Sequence, residues 1–153
     1  MNVLSGSDLR DQLRVLIRRL GILQKGEAEC CGVTLSQCHA IVELGRAETL
    51  SVVELAEILN LDKSTTSRNI DNLVARCLVI RETDPDDRRC VILRLSNEGQ
   101  TLFCQINRSM EEYFETVLAL IPADKRSIVA EGIGELVKAV AQADDCCSNE
   151  AKG

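Results

Sequence analysis

The hydrophobic and polar positions of the chain change period several times, and each change marks an element. From Asp8 to Leu23 apolar residues recur at spacings of three and four (Leu9, Leu13, Leu16, Ile17, Leu20, Leu23) with arginines between them. This predicts an amphipathic helix whose end is softened at Gly26. Residues 1–7 lack the pattern and read as a frayed end. Thr34, with Gln37 three residues on, is placed to cap a second helix that carries Leu35, Cys38, Ile41, Val42 and Leu44 to Gly45. Two shorter helical patterns flank the break Asn60-Leu61-Asp62, the first with Val53, Leu55, Ala56, Ile58 and Leu59, the second with Ile70, Leu73 and Val74. Strand-like runs, Leu78 to Glu82 and Arg89 to Leu95, then surround the turn cluster Asp84-Pro85-Asp86-Asp87. A long helix follows over Gln100 to Leu120, on Leu102, Phe103, Ile106, Met110, Tyr113, Phe114 and Val117. Pro122 opens a last helix at a position where a missing amide costs nothing, and it runs to about Ala141 on Ile128, Val129, Ile133, Leu136, Val137 and Val140.

The middle of this pattern is a helix-turn-helix followed by a two-stranded wing, which together make a DNA reader. Asp62 is the expected N-cap of the second helix, its carboxylate accepting from the amide of Ser64 or Thr65. The first turns of that helix then display Lys63, Ser64, Thr65, Thr66, Ser67, Arg68 and Asn69, whose donors and acceptors suit phosphates and base edges better than a core. Thr65, Thr66, Arg68 and Asn69 are the candidates for the major groove, and Lys63 and Ser64 for phosphate.

At the wing the string DPDDRRCVILRLSNEGQ, after a helix ending NLVARCLVIRE, resembles the MarR family of winged-helix bacterial regulators over about residues 34–100. The resemblance implies that Asp87, Arg88 and Arg89 order the hairpin and bring an arginine to the DNA minor groove; from the acids of the turn alone, one of the two arginines is expected to pair with Asp84, Asp86 or Asp87. Leu95-Ser96-Asn97-Glu98-Gly99 stands where the family has Leu-Thr-x-x-Gly, and Ser96 can cap the next helix as threonine would. It further implies a mainly α fold, in which the N- and C-terminal helices form a dimerisation layer around the winged helix-turn-helix. Three helices outside the reader carry more apolar surface than so small a domain can cover, so burial calls for a partner, which the resemblance implies is a second copy. The expected organisation is a dimerisation helix over 1–33, the reader over 34–98, dimerisation helices over 99–143 and a flexible polar tail over 144–153.

Composition adjusts this picture in three places. The 153-residue chain has only two Phe, one Tyr and no Trp, so its core is aliphatic. Nothing approaches the roughly 18 consecutive apolar residues of a membrane span, and no apolar signal core is present, so a cytoplasmic protein is expected. The net charge of −6 opposes nucleic-acid binding only if read globally. Residues 62–95 hold seven Lys/Arg against six Asp/Glu, so the acid lies mainly outside the reader. Binding to duplex DNA should therefore be modest in strength without a specific site and steeply salt-dependent.

Catalysis finds no support. His39 is the only histidine, read as a partly buried structural residue, and no phosphate loop or dinucleotide fingerprint occurs. Cys38 and His39 are adjacent on a helix and point about 100° apart, so they cannot act as nucleophile and base. Of the eight cysteines, Cys77, Cys90 and Cys104 occupy places that suit small apolar core residues. Cys30, Cys31, Cys38, Cys146 and Cys147 include doubled thiols with no packing rationale, and form a candidate site for a thiophilic ion, with Glu29 and His39 nearby. Three thiolates suit As, Sb, Hg, Cd or Cu, whereas Zn wants a fourth ligand; the same thiols could answer an oxidant. No cofactor is otherwise required. Two further readings stand beside thiol sensing: a small phenolic or lipophilic effector lodged between the dimer helices and the reader, and a DNA-free interaction module with an acidic surface.

Overall fold

The computed structural model of the protein describes the backbone of residues 4–150, and the side chains of that range other than 22–31 and 144–150. Six helices and a two-stranded sheet follow in the order α1 (Gly6–Cys31), α2 (Leu35–Ala47), α3 (Val52–Leu59), α4 (Lys63–Ala75), β1 (Val79–Thr83), β2 (Val91–Leu95), α5 (Asn97–Leu120) and α6 (Arg126–Glu150). The chain is mostly helical with one small antiparallel sheet, as the apolar spacing predicts. Two helix ends differ from that reading. α1 continues through Gly26 to Cys31, stopping only where Gly32 adopts a positive φ of 67°. α6 continues past Ala141 to Glu150.

The chain divides into two compact units, residues 1–109 and 110–153. In the first, α2, α3, α4 and the hairpin enclose an aliphatic core of Ile41, Leu44, Leu55, Ile70, Leu73, Val79 and Leu93. Local hydrogen bonds set the helix starts. Thr34 and Gln37 form a reciprocal capping box on α2, and Ser51 and Glu54 form another on α3, a Ser-x-x-Glu signature that the sequence also carries. Between α3 and α4, Asn60 turns the chain in the left-handed region, a conformation its short amide side chain tolerates. The strands pair in the register Val79↔Leu95 to Thr83↔Val91, and Leu50 adds a one-residue third strand by exchanging both backbone bonds with Leu93.

The start of α5 is bound closely to the end of the sheet. Ser96 N–H donates to the Leu78 carbonyl at 3.0 Å, Ser96 Oγ donates to the Cys77 carbonyl at 2.6 Å, and Gly99 N–H donates back to Ser96 Oγ at 3.0 Å. Ser96 thus caps α5, as expected from its place in the motif.

Residues 110–143 form the described part of the second unit, and none of their side chains is buried. Ile128, Ile133 and Val137 on α6 are 67%, 55% and 64% exposed.

The expectation that Cys77, Cys90 and Cys104 are core thiols is corrected: all three are exposed. Cys77 follows the C-cap of α4 with a φ of 59°, so the chain is turning outward there, and Cys90 closes the wing turn. A non-glycine residue in that region costs about 1 kcal/mol, and the exposed Cys77 side chain recovers nothing by packing. Cys77→Gly should therefore raise stability by about 0.5–1 kcal/mol in urea unfolding, and a loss of stability would refute this.

Candidate nucleic-acid interface

α4 is fixed from its first turn. Asp62 Oδ1 accepts from Thr65 N–H at 2.8 Å, and Oδ2 accepts from the Thr65 hydroxyl at 2.6 Å. These bonds, the hydroxyl first, hold the Asp62 carboxyl below its ordinary value. The cap is complete above that ordinary value and its contribution is lost as pH falls through the lowered one.

Thr66, Ile70 and Leu73 form the inner stripe of the helix, with Thr66 only 1% exposed and its hydroxyl donating to the Asp62 carbonyl at 3.1 Å. Thr66 was expected in the major groove; the structure corrects this by placing it in the core, where its hydroxyl is satisfied by its own helix. The outer face presents Lys63, Ser64 and Arg68, which are exposed, with Thr65 and Ser67 half-buried beside them. Asn69 is also half-buried, and its amide donates to Ser36 Oγ on α2 at 3.1 Å. That contact spans 33 residues and had no local signal.

The wing tip is ordered by its acids, but not through arginine side chains. Asp84 Oδ1 accepts from Asp86 N–H at 2.9 Å, and Asp87 Oδ1 accepts from Arg89 N–H at 3.0 Å. The expected ion pair between an arginine and Asp84, Asp86 or Asp87 is not made by either Arg88 or Arg89 among the described residues. The backbone amides occupy the carboxylates, and both guanidinium groups stand exposed. Of the seven cations between Asp62 and Leu95, three are held. Arg76 donates to the Gly32 carbonyl at 2.7 Å, Arg81 pairs with Asp71 at 2.7 Å, and Arg94 pairs with Glu82 across the hairpin at 2.6 Å. Lys63, Arg68, Arg88 and Arg89 have no side-chain partner among the described residues; the first two stand on the first half of α4 and the other two at the tip of the wing.

Cys30, Cys31, Cys146 and Cys147, with Glu29, lie outside the described side chains, and Cys38 is 8% exposed within α2. Among the described residues no three His, Cys, Asp or Glu side chains are grouped to hold a metal ion. His39, expected partly buried, is exposed, because it sits on the outer side of α2. Cys90 donates its thiol to Asp87 Oδ2 at 3.4 Å, and that bond, followed by the Asp87 charge, pushes its pKa up. An exposed thiol kept protonated in this way is a poor nucleophile.

A capped helix turned outward beside a hairpin whose two tip arginines are unpaired is the geometry of a winged helix-turn-helix, the class that reads duplex DNA with a helix and a wing. Residues 32–89 match the MarR family model. The chain is 24% identical over 125 residues to the HTH-type transcriptional regulator YdgJ of Bacillus subtilis, covering 82% of this chain and 74% of that one. It is 24% identical over 133 residues to the HTH-type transcriptional repressor MdtR of the same organism, covering 87% and 86%. The structure of Streptococcus pneumoniae FabT in complex with DNA superimposes with a TM-score of 0.81 at 16% identity, covering 91% of this chain and 99% of that one. The match over the reader and the similarity to these regulators over most of the chain support a MarR-type winged-helix transcriptional regulator, a DNA-binding protein rather than an enzyme. The reading as a DNA-free interaction module falls with that finding. No described helix is long and apolar enough to cross a membrane.

Proposed function

We propose that the protein is a cytoplasmic repressor that binds a near-palindromic operator as a homodimer and releases it on a thiol-reactive signal. The observation that carries the DNA contact is that Lys63 and Arg68 on α4 and Arg88 and Arg89 at the wing tip are exposed and unpaired among the described residues, while the other cations of the reader are held. Ser64 and the half-buried Thr65 and Ser67 supply hydrogen-bonding groups between them. The homodimer is supported by the apolar side chains of α1 and α6: Val15, Leu16, Ile17, Ile128, Ile133 and Val137 are all exposed in the single chain. Apolar surface of this extent on one protomer calls for a cover, and a second copy supplies a matching one. Two recognition helices then engage half-sites about one helical turn apart, roughly 10 bp centre to centre. Operator selection followed by light scattering of the free protein tests both parts. A monomer at micromolar concentration, or equal affinity for selected and random duplexes, would sink the reading.

The thiol signal rests on the doubled cysteines. Cys30 and Cys31 end α1, and Cys38 lies on α2 just across the junction. Joining them through a soft ion such as As(III), Sb(III), Hg(II), Cd(II), Cu(I) or Zn(II), or a disulfide from Cys30 or Cys31 to Cys38 or a tail thiol, would draw the two segments together. Because Cys38 is nearly buried, the junction must open for it to serve. A second reading keeps a small effector but moves it from the expected place between the dimer helices and the reader to an open cleft of about 280 Å3 within the reader, lined by Leu35, Ser36, His39, Leu59 and Leu61. Its leucines and two polar groups suit a small phenolic or lipophilic effector. Titrating arsenite, Hg(II), Cd(II), Zn(II) and peroxide against the DNA complex separates the two. The thiol reading predicts release from the wild type and retention by a Cys30/Cys31/Cys38-to-Ser variant. Release from both, or from neither, removes the thiols as the sensor.

A further inference from the structure

The helix α4 is tied at two points to the chain around the start of α2. Near its middle, Asn69 Nδ2 donates to Ser36 Oγ on α2 at 3.1 Å. At its end, the C-cap residue Arg76 donates from Nη1 to the Gly32 carbonyl at 2.7 Å. Asn69 and Arg76 are seven residues apart, so they lie on one side of the helix, about 10 Å from one another along it. Their anchors, Gly32 and Ser36, stand two residues either side of Thr34, whose Oγ1 and Gln37 partner form the capping box that starts α2. One rigid corner of the chain therefore grips α4 at both ends of a two-turn span.

The packing of Thr66, Ile70 and Leu73 against the core does not by itself set how far α4 is rolled or slid, because apolar contact is not directional. Hydrogen bonds between named atoms do set it, since they weaken steeply away from their preferred length and angle. The second terminal nitrogen of Arg76 also comes close to the junction. A Cβ at Gly32 would be 3.6 Å from Arg76 Nη2, and Gly32 holds a positive φ that side-chain-bearing residues rarely adopt.

We propose that Gly32 and Ser36 clamp α4 in its DNA-reading orientation, so that Asn69 and Arg76 are positioning residues rather than DNA contacts. The α1–α2 junction is then the point from which α4 is moved. This rests on α4 being the helix that reads DNA. It also supplies a route for any signal received at the junction. A shift of the Gly32 carbonyl or of Ser36 Oγ by more than a few tenths of an ångström breaks a tie, and α4 turns away from its register on the duplex.

Ser36 makes the test sharp, because it sits on α2 and its loss alters no group of α4. Affinity for the selected operator and for a random duplex is measured as a function of salt for Ser36→Ala, Asn69→Ala, their double variant, and Arg76→Ala. Ser36→Ala and Asn69→Ala should each weaken operator binding about three- to tenfold. The double variant should be no weaker than the weaker single, since one bond is lost in all three. Arg76→Ala should lose a similar factor with its salt slope unchanged, because no phosphate contact goes with it. Random-duplex affinity should stay at the wild-type value throughout. Ser36→Thr and Arg76→Lys, which keep a donor or hydroxyl at each tie, should restore operator binding, and thermal melts establish that each variant is folded. Three results would overturn the clamp. Asn69→Ala could change the preferred base at one operator position while Ser36→Ala binds as wild type, making Asn69 a base reader. Arg76→Ala could lower the salt slope by about one, making Arg76 a phosphate contact. Folded Ser36→Thr and Arg76→Lys could bind no better than the alanine variants. A wild type that fails to discriminate operator from random duplex would instead refute α4 as the reading helix, and the clamp with it.

Discussion

Replacing Gly99 by alanine is expected to lower the stability of the protein by about 2–3 kcal/mol, the upper part of the range for forcing extra atoms into a packed site. An alanine Cβ at Gly99 would come within 2.0 Å of the Leu78 carbonyl oxygen and 3.0 Å of its carbon, contacts that real side chains do not make. The obstacle is backbone, and it is held on three sides. The same Leu78 oxygen accepts from Ser96 N–H, Ser96 Oγ spans the Cys77 carbonyl and the Gly99 amide, and Val79 pairs with Leu95 at the adjacent step of the sheet. Relieving the clash means parting α5 from the hairpin and losing the cap of α5. The melting midpoint should fall by roughly 5–10 °C. The neighbouring Glu98→Ala, an exposed position, should stay within about 0.5 kcal/mol of the wild type. A Gly99→Ala midpoint within a degree or two of the wild type would show that the strand end and the helix start are not rigidly joined.

The Gly99 contact also shows what the sequence could and could not display. Helix starts were legible because their chemistry is local: Asp62 to Thr65, Thr34 to Gln37 and Ser96 to Gly99 each act over three residues. The strand-like runs on either side of the turn cluster placed β1 and β2 within two residues of their observed ends. Thr66 was misread because its residue type was weighed above its position. It stands four residues before Ile70 and seven before Leu73, on the stripe that periodicity alone assigns to the core. A threonine can sit there because its methyl packs inward while its hydroxyl is satisfied by the carbonyl four residues back. The roles of Asn69 and Arg76 had no such signal, since their partners lie 33 and 44 residues away. Which cations are held and which stand free is a tertiary property, and it separates Arg81 and Arg94 from Arg88 and Arg89 although all four flank the same turn.

Replacing Arg88 and Arg89 together by alanine is expected to weaken operator binding about ten- to a hundredfold while leaving stability within about 0.5 kcal/mol of the wild type. The two halves of that expectation come from the same geometry. The aspartates of the turn are bonded to the backbone amides of Asp86 and Arg89 and to the Cys90 thiol, so deleting both guanidinium groups removes no bond that orders the hairpin. Both groups are exposed at the tip, where a wing meets the duplex backbone and minor groove. Each phosphate neutralised contributes about 0.9 to the slope of log affinity against log salt, so losing both arginines of one wing should lower the slope by about 1.8, and of two wings by about 3.6. The size of the drop therefore also counts how many wings of the proposed dimer engage. The loss should be greatest on operators with A·T-rich flanks, whose narrow minor groove concentrates negative potential, and should shrink when the flanks are made G·C-rich. Each single variant should show roughly half the change in slope with unchanged stability, since neither arginine is held in an ion pair among the described residues. If the double variant instead melted several degrees early and kept the wild-type salt slope, the arginines would be holding the hairpin together, and the wing would touch DNA through other groups.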